Sequence, residues 1–226
     1  MRASLAMEKL VKGIHSFQKH FFTKHQELFE TLASRGQKPE TLFVTCSDSR
    51  VDPNLITNSR PGDLFIVRNV GNVIPRPDLP GGTAAAVEYA VEVLGVENII
   101  VCGHTQCGAM ASILAPEKME KLQYVKRWLA QTETVRNVIQ TRYGNLPGEA
   151  RVTAAVAENV LMQLEHLRAY PFVAERLDAG KLKIAGWVFE IATGAIHGFD
   201  PDTGEFCAIR ESDGSAAAAM HREEQE

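Results

Sequence analysis

Two short segments each bring together side chains that can bind a metal ion: CSDSR at residues 46–50 and CGHTQCG at residues 102–108. Cys46, His104 and Cys107 together offer two thiolates and one imidazole. Zinc accepts this set in a tetrahedral site, and three protein ligands leave the fourth position open for solvent or substrate. The sequence therefore predicts one zinc ion per chain, held in a site of the open, catalytic type.

Asp48 and Arg50 follow Cys46 at intervals of two residues and add a carboxylate and a guanidinium to the predicted site. If the strand continues past Cys46, all three side chains point to one face. Arginine can hold a carboxylate through two parallel hydrogen bonds, which lysine cannot do. We expect Arg50 to fix Asp48 so that Asp48 accepts a hydrogen bond from water at the metal. The alternative is a solvated surface ion pair of little energetic value.

Each predicted ligand taken alone could be an ordinary core residue, because cysteine is among the most buried residue types. The complete set is harder to explain in this way, since polar groups gathered at strand ends are costly unless they bind something. A structural zinc would be closed by four ligands, usually from CxxC pairs, and the sequence contains no CxxC. We interpret the two remaining cysteines, Cys102 and Cys207, as core thiols.

Four short apolar segments are predicted as strands, and their continuous hydrophobicity favours a sheet buried on both faces. They are Thr41–Cys46, Asp63–Arg68, Asn98–Gly103 and Leu182–Phe189. Between the second and third, a helix with Thr83 as N-cap and Gly95 as its stop would make a parallel crossover. Ligands of such sheets gather at the carboxyl ends of the strands. Cys46 and His104 are therefore expected at the same edge.

Most of the remaining chain is predicted to be helical. Residues 4–34 carry apolar side chains at helical spacing, with a break near Thr23. Because this stripe has no evident partner within one domain, we predict a helical arm packed against a second subunit. The other predicted elements are helices at 107–114, 118–142 and 151–168, an edge strand at 206–210 and a disordered tail at 211–226.

The composition allows one large domain or two small ones. Because no Gly/Ser/Pro-rich linker divides the chain, we expect a single catalytic domain over residues 1–210, of which residues 1–34 form the arm. A chain of 226 residues with 45% hydrophobic residues can bury a sizeable core. A net charge of -4 gives no reason to expect nucleic acid or an anionic membrane as partner. No apolar run reaches the ~20 residues of a membrane span, and the N-terminus lacks a secretory signal. Four cysteines fit a reducing, cytoplasmic compartment better than a disulfide framework.

Longer segments around the motifs resemble the β-class carbonic anhydrases, especially their plant and cyanobacterial branch. The resemblance runs from about Leu5 to Arg210, through CSDSRVDP, GDLFIVRNVGNVIP, GGTAAAVEYAVEVLGVENIIVCGHTQCGAM and GWVFEIATG. It implies an enzyme that reversibly hydrates carbon dioxide to bicarbonate by zinc-bound hydroxide. It also implies an α/β fold, with a mainly parallel four-stranded sheet, an added edge strand and flanking helices.

The resemblance implies a role for individual residues. Cys46, His104 and Cys107 match the zinc ligands, and Asp48 and Arg50 match the catalytic dyad. The residues implied for the substrate pocket are Gln37 (from the neighbouring subunit), Phe65, Val70, Tyr89 and Gly103. The implied assembly is a homodimer or a higher homo-oligomer, and the cyanobacterial likeness adds the carboxysome to the cytoplasm as a candidate location.

Two other functions would use the same ligands. A catalytically silent zinc-binding scaffold would be expected to have lost the dyad, whereas Asp48 and Arg50 are both present. Hydrolysis of carbon disulfide or carbonyl sulfide would need the same metal site. Initial rates on these substrates and on carbon dioxide would separate all three functions.

Overall fold

The computed structural model describes residues 4–210, which divide into two compact units, residues 4–38 and residues 39–210. The first unit contains helix α1 (Leu5–Ser16), a π-helical turn (Phe17–Phe22) and helix α2 (Gln26–Arg35). The expected break lies at residues 23–25. Large apolar side chains of this unit are exposed: Leu5, Met7, Leu10, Val11, Ile14, Phe17, Phe21 and Phe22. The predicted disordered tail at 211–226 lies outside the described residues.

The second unit is built on one six-stranded sheet with the order β2-β1-β3-β4-β5-β6. Its strands are β1 (Thr41–Cys46), β2 (Leu64–Asn69), β3 (Asn98–His104), β4 (Lys183–Phe189), β5 (Ile196–Asp200) and β6 (Glu205–Ala208). The first four are parallel, and β5 and β6 are antiparallel. The mainly parallel four-stranded sheet is thus confirmed, but two strands are added to it rather than one. The sequence of β5, IHGFD, has no continuous apolar run that would predict a strand.

Helices form most of the connections between the parallel strands, and some of them pack against the sheet. After the first unit they are α3 (Pro53–Thr57), α4 (Gly82–Glu88), α5 (Gly108–Leu114), α6 (Gln123–Leu129), α7 (Glu133–Arg142), α8 (Gly148–Arg168) and α9 (Pro171–Asp178). Thr83 is not the N-cap of α4, since that helix already begins at Gly82 and Gly81 precedes it. A π-helical turn at Tyr89–Leu94 continues α4, and Gly95 ends it in the left-handed conformation with φ 66°.

The predicted continuous helix at 118–142 is wrong, because this segment is divided into α6 and α7 by a 3₁₀ turn at Ala130–Thr132. Helix α9 was not predicted. It begins with Pro171 at its first position, where the missing N–H has no intrahelical acceptor to lose. Pro171 therefore starts a new helix soon after α8 ends at Arg168.

Helix α8 packs against β3 and β4 at very short range. A Cβ atom on Gly103 would lie 2.8 Å from Val156 Cγ1, and one on Gly186 would lie 2.8 Å from Val160 Cγ1. Only the absence of a side chain at these two positions lets the helix approach so closely. Helix α8 is thereby fixed relative to the strand that ends at His104.

The two cysteines outside the predicted metal set differ in environment. Cys102 is fully buried in β3, as expected for a core thiol. Cys207 is exposed, so the prediction of a core thiol is wrong for this residue. It lies in β6, a short edge strand whose other side chains are also largely exposed. Within residues 4–210, no helix combines the length and hydrophobicity needed to cross a bilayer.

Candidate metal centre

Three different elements bring the predicted ligands together. Cys46 is the last residue of β1, His104 is the last residue of β3, and Cys107 directly precedes α5. Since β1 and β3 are adjacent parallel strands, their carboxyl ends meet at one edge of the sheet. The two Sγ atoms and one imidazole nitrogen all lie within 4.8 Å of one another, and all three residues are buried. This arrangement can hold one metal ion.

The imidazole of His104 is oriented as a metal ligand requires. Its Nδ1 lies 2.9 Å from the carbonyl oxygen of Thr105, so Nδ1 carries the proton that is donated. Thr105 is held in turn, because its N–H donates to Phe189 and its Oγ1 accepts from Ile191. His104 Nε2 is left as a fully buried acceptor without a hydrogen-bond partner among the described residues. A buried orphan acceptor is unfavourable unless it binds something, and a metal ion satisfies it.

The two cysteine side chains also favour a cation. The neighbouring Cys107 sulfur holds the pKa of Cys46 well below its usual range, although burial opposes this shift. The Cys46 sulfur and burial raise the pKa of Cys107 above its usual range. A dication supplies the positive charge that two neighbouring thiolates need.

Asp48 and Arg50 form a bidentate pair beside these ligands. Arg50 Nε lies 2.9 Å from Asp48 Oδ1, and Arg50 Nη2 lies 2.8 Å from Asp48 Oδ2. These hydrogen bonds hold the pKa of Asp48 well below its usual range, although partial burial opposes the shift. Asp48 Oδ2 is also 3.9 Å from His104 Nε2. The carboxylate thus stays ionised next to the position that a metal would occupy.

Asp48 and Arg50 do not lie on a continued strand, as the two-residue spacing predicts. Strand β1 ends at Cys46, and the chain leaves the sheet and turns at residues 49 and 50. The turn is closed locally, since the backbone N–H of Arg50 donates to Asp48 Oδ1 at 3.0 Å. The guanidinium of Arg68 fixes it to the sheet by donating to the carbonyl oxygens of Cys46 (3.1 Å) and Asp48 (2.7 Å).

Gln106 holds the other side of Arg50. Its Oε1 and its backbone oxygen each accept from the guanidinium at 3.3 Å, and its Nε2 donates to Glu149 Oε1 at 3.2 Å. Gln106 adopts a positive φ of 57°, an uncommon conformation for a residue with a side chain. This local geometry turns Gln106 towards Arg50 between the two predicted ligands His104 and Cys107.

The residues expected around a substrate pocket have different surroundings in the structure. The rings of Phe65 and Tyr89 have centroids 6.1 Å apart. Val70 is exposed, and its carbonyl accepts from the indole of Trp128. Gly103 faces the valines of α8, which gives it a packing role. Gln37 belongs to the first unit and is exposed there.

Sequence reasoning missed the groups that support the ligands, namely Arg68, Gly71 and Gln106. Gly71 donates its N–H to Cys46 Sγ at 3.4 Å. A glycine soon after a predicted strand is a recognisable signal for a positive φ, and Gly71, three residues beyond the predicted end at Arg68, has φ 83°. Nothing in the local sequence of Arg68 or Gln106 announces their partners.

The chain is similar to known proteins in both sequence and structure. A family model described as carbonic anhydrase matches residues 41–196. A carbonic anhydrase from Synechocystis sp. is 46% identical over 204 residues, covering 89% of this chain and 74% of the relative. The chain belongs to the β-class carbonic anhydrases. As a member of this family it is an enzyme that hydrates carbon dioxide, and its Cys46–His104–Cys107 group fits zinc.

Solved structures agree with this assignment. The β-carbonic anhydrase CcaA has a TM-score of 0.88 and 45% identity, covering 90% of this carbonic anhydrase and all (100%) of that chain. A tetrameric β-carbonic anhydrase from Sordaria macrospora has a TM-score of 0.79 and 28% identity, covering 91% of this chain and 99% of that one. The likeness includes the central sheet and the flanking helices.

Proposed function

We propose that this carbonic anhydrase holds one zinc ion through Cys46, His104 and Cys107 and uses Asp48 and Arg50 to orient the attacking water. The observation that carries this proposal is geometric: the buried, unpartnered Nε2 of His104 lies within 4.8 Å of two buried cysteine sulfurs. When bound, zinc lowers the pKa of water from 15.7 towards ~7 and so supplies a nucleophile at neutral pH.

Asp48 acts on the nucleophile through its position. Its carboxylate lies next to His104 Nε2 and is kept ionised by Arg50, so it can accept a hydrogen bond from the attacking water. That hydrogen bond turns the oxygen lone pair towards the carbon atom of the substrate. Arg50 holds Asp48 in place, and Gln106 holds Arg50, so the carboxylate has little freedom to rotate away.

Carbon dioxide is small and uncharged, and an apolar pocket suits it. Phe65, Val70 and Tyr89 are the side chains that we assign to this pocket, with Gln37 supplied by a second subunit. Val70 is 41% exposed and Tyr89 is 45% exposed in the single chain. In this proposal, a second subunit covers these exposed apolar side chains.

A homo-oligomer is therefore part of the proposal, as in the relative described as tetrameric. The exposed apolar residues of α1 and of the π-helical turn provide a surface that a second copy would bury. Location in the cytoplasm or in a carboxysome stays a prediction.

Stopped-flow hydration of carbon dioxide, with zinc measured on the same sample, tests the proposed mechanism. Arg50→Ala should retain zinc but lose at least ~10²-fold in kcat, the usual scale for a group that positions a reacting proton. Asp48→Asn, which keeps the shape but not the charge, should behave similarly. Arg76→Ala is the matched control, since it removes an exposed Arg–Asp pair with the same spacing, Arg76 with Asp78.

If Arg50→Ala hydrates carbon dioxide at the wild-type rate, the Asp48–Arg50 pair is only a surface ion pair without a catalytic role. A zinc-loaded wild type that hydrolyses carbonyl sulfide or carbon disulfide but does not hydrate carbon dioxide would contradict the proposed substrate. A wild type that binds no zinc after metal reconstitution would contradict the ligand set.

A further inference from the structure

One face of α8 carries a row of polar side chains that hold the loop after β2. Asn159 Nδ2 donates to the carbonyl of Gly71 at 3.0 Å, and Gln163 Oε1 accepts from the N–H of Ile74 at 2.8 Å. Gln163 Nε2 also donates to Asn159 Oδ1 at 2.9 Å, so the two amides form one unit. Further along, Tyr170 donates its hydroxyl to the carbonyl of Pro75 at 2.8 Å.

Asn159 and Gln163 are both fully buried. A buried amide is costly unless its polar atoms are paired, and these two amides are paired with the loop and with each other. The rest of the buried face of α8 is apolar, with Val156, Val160 and Leu164 beside them. Apolar residues here would have been compatible with the core, so the polar pair must serve the loop.

The loop residue that Asn159 holds is the one that contacts a metal ligand. Gly71 donates its N–H to Cys46 Sγ, and its φ of 83° is in the left-handed region. A Cβ atom at this position would lie 3.1 Å from Ala109 Cβ and 3.3 Å from Met110 Cε. Glycine therefore lets the backbone fit between α5 and the sulfur, and Asn159 fixes the peptide on its other side.

We infer that Asn159, supported by Gln163, is a positioning residue for the metal site: it holds the Gly71 amide against the Cys46 sulfur. An N–H donated to a thiolate stabilises its negative charge and restricts its orientation. Helix α8 thus contributes to metal affinity without contacting the metal. This inference rests on the proposed role of Cys46 as a ligand.

Metal affinity and cobalt spectra test the inference independently of turnover. In the full-length protein, Asn159→Ala should weaken zinc binding by roughly 10–100-fold in competition with a chelator, the scale seen when groups supporting a ligand are lost. In the cobalt(II)-substituted protein, the thiolate-to-cobalt charge-transfer band should shift. Tyr170→Phe is the matched control, because it removes one buried hydrogen bond to the same loop at Pro75, away from Gly71.

The outcomes separate this inference from the proposed function. A wild type without a thiolate-to-cobalt band would contradict the ligand set itself and the inference with it. A normal wild type together with wild-type affinity and spectrum in Asn159→Ala would overturn the inference alone, as would equal losses in Asn159→Ala and Tyr170→Phe. If Asn159→Ala does not fold, Asn159→Asp replaces it, since it keeps the acceptor for Gln163 but loses the amide donor to Gly71. The same affinity and spectral criteria then decide.

Discussion

The close packing of α8 on the sheet makes Gly103→Ala a stringent perturbation of this enzyme. The added methyl group would lie 2.8 Å from Val156 Cγ1 and 2.9 Å from Val160 Cγ2. Neither valine can rotate away easily, because a β-branched side chain in a helix has one strongly preferred rotamer. The helix or the strand must therefore move, and this strand ends at His104.

The expected cost follows from two opposing effects. Overpacking a well-packed core costs about 1–3 kcal/mol. Replacing glycine with alanine also restricts the unfolded chain, which offsets about 0.4–1 kcal/mol. A net loss of about 1–2 kcal/mol corresponds to a decrease in Tm of about 2–8 °C for a chain of this size.

Denaturant unfolding followed by circular dichroism, at fixed zinc and protein concentration, measures this loss. Gly148→Ala is the control, because Gly148 is the first residue of the same helix and a Cβ there meets nothing within 4 Å. Adding Val160→Ala to Gly103→Ala should recover part of the loss, with a coupling energy of at least about 0.5 kcal/mol in a double-mutant cycle. Unchanged stability in Gly103→Ala, or no coupling to Val160→Ala, would refute the packing argument.

Two further predictions concern the surface of the chain. Leu10→Asp combined with Ile14→Asp places charges on exposed apolar positions of α1, so light scattering should report smaller assemblies. The control Lys12→Asp changes an exposed residue on the opposite face of α1 and should leave assembly unchanged. An intact oligomer in the double variant would argue against the arm interface. Iodoacetamide should alkylate the exposed Cys207 of the zinc-loaded protein but not Cys102. Burial raises the pKa of Cys102 to about 12, and the thiolate is the form that reacts. Modification of Cys102 in the native protein, detected by peptide mapping, would contradict this.

The clustering of Cys46, His104 and Cys107 could be predicted because each residue adjoins a segment with a strong local signal. Cys46 and His104 end continuous apolar strands, and parallel strands bring such ends to one edge. The pairing of Asp48 with Arg50 was also predicted, although the stated reason was wrong. A turn closed by the Arg50 N–H joins the two side chains, and a two-residue spacing cannot distinguish that turn from a strand.

The supporting contacts could not be predicted because they depend on distant parts of the chain. Asn159 reaches Gly71 only after α8 has packed on β3, and a polar residue in a helix gives no indication of its partner. The positive φ of Gln106 similarly results from its tertiary surroundings, since glutamine does not favour that conformation. Strand β5 was missed because its pairing partner β4, rather than its own composition, makes it a strand.

If Cys46, His104 and Cys107 hold the metal as proposed, metal acquisition depends on the folding of the sheet. His104 and Cys107 are three residues apart and can approach one another locally, whereas Cys46 joins them only when β1 has paired with β3. Bringing distant strands together requires closing a long loop, which slows folding. A newly made chain would therefore offer only a two-ligand, weak site until the centre of its sheet has formed. Firm retention of the ion would then require that β1 and β3 have paired.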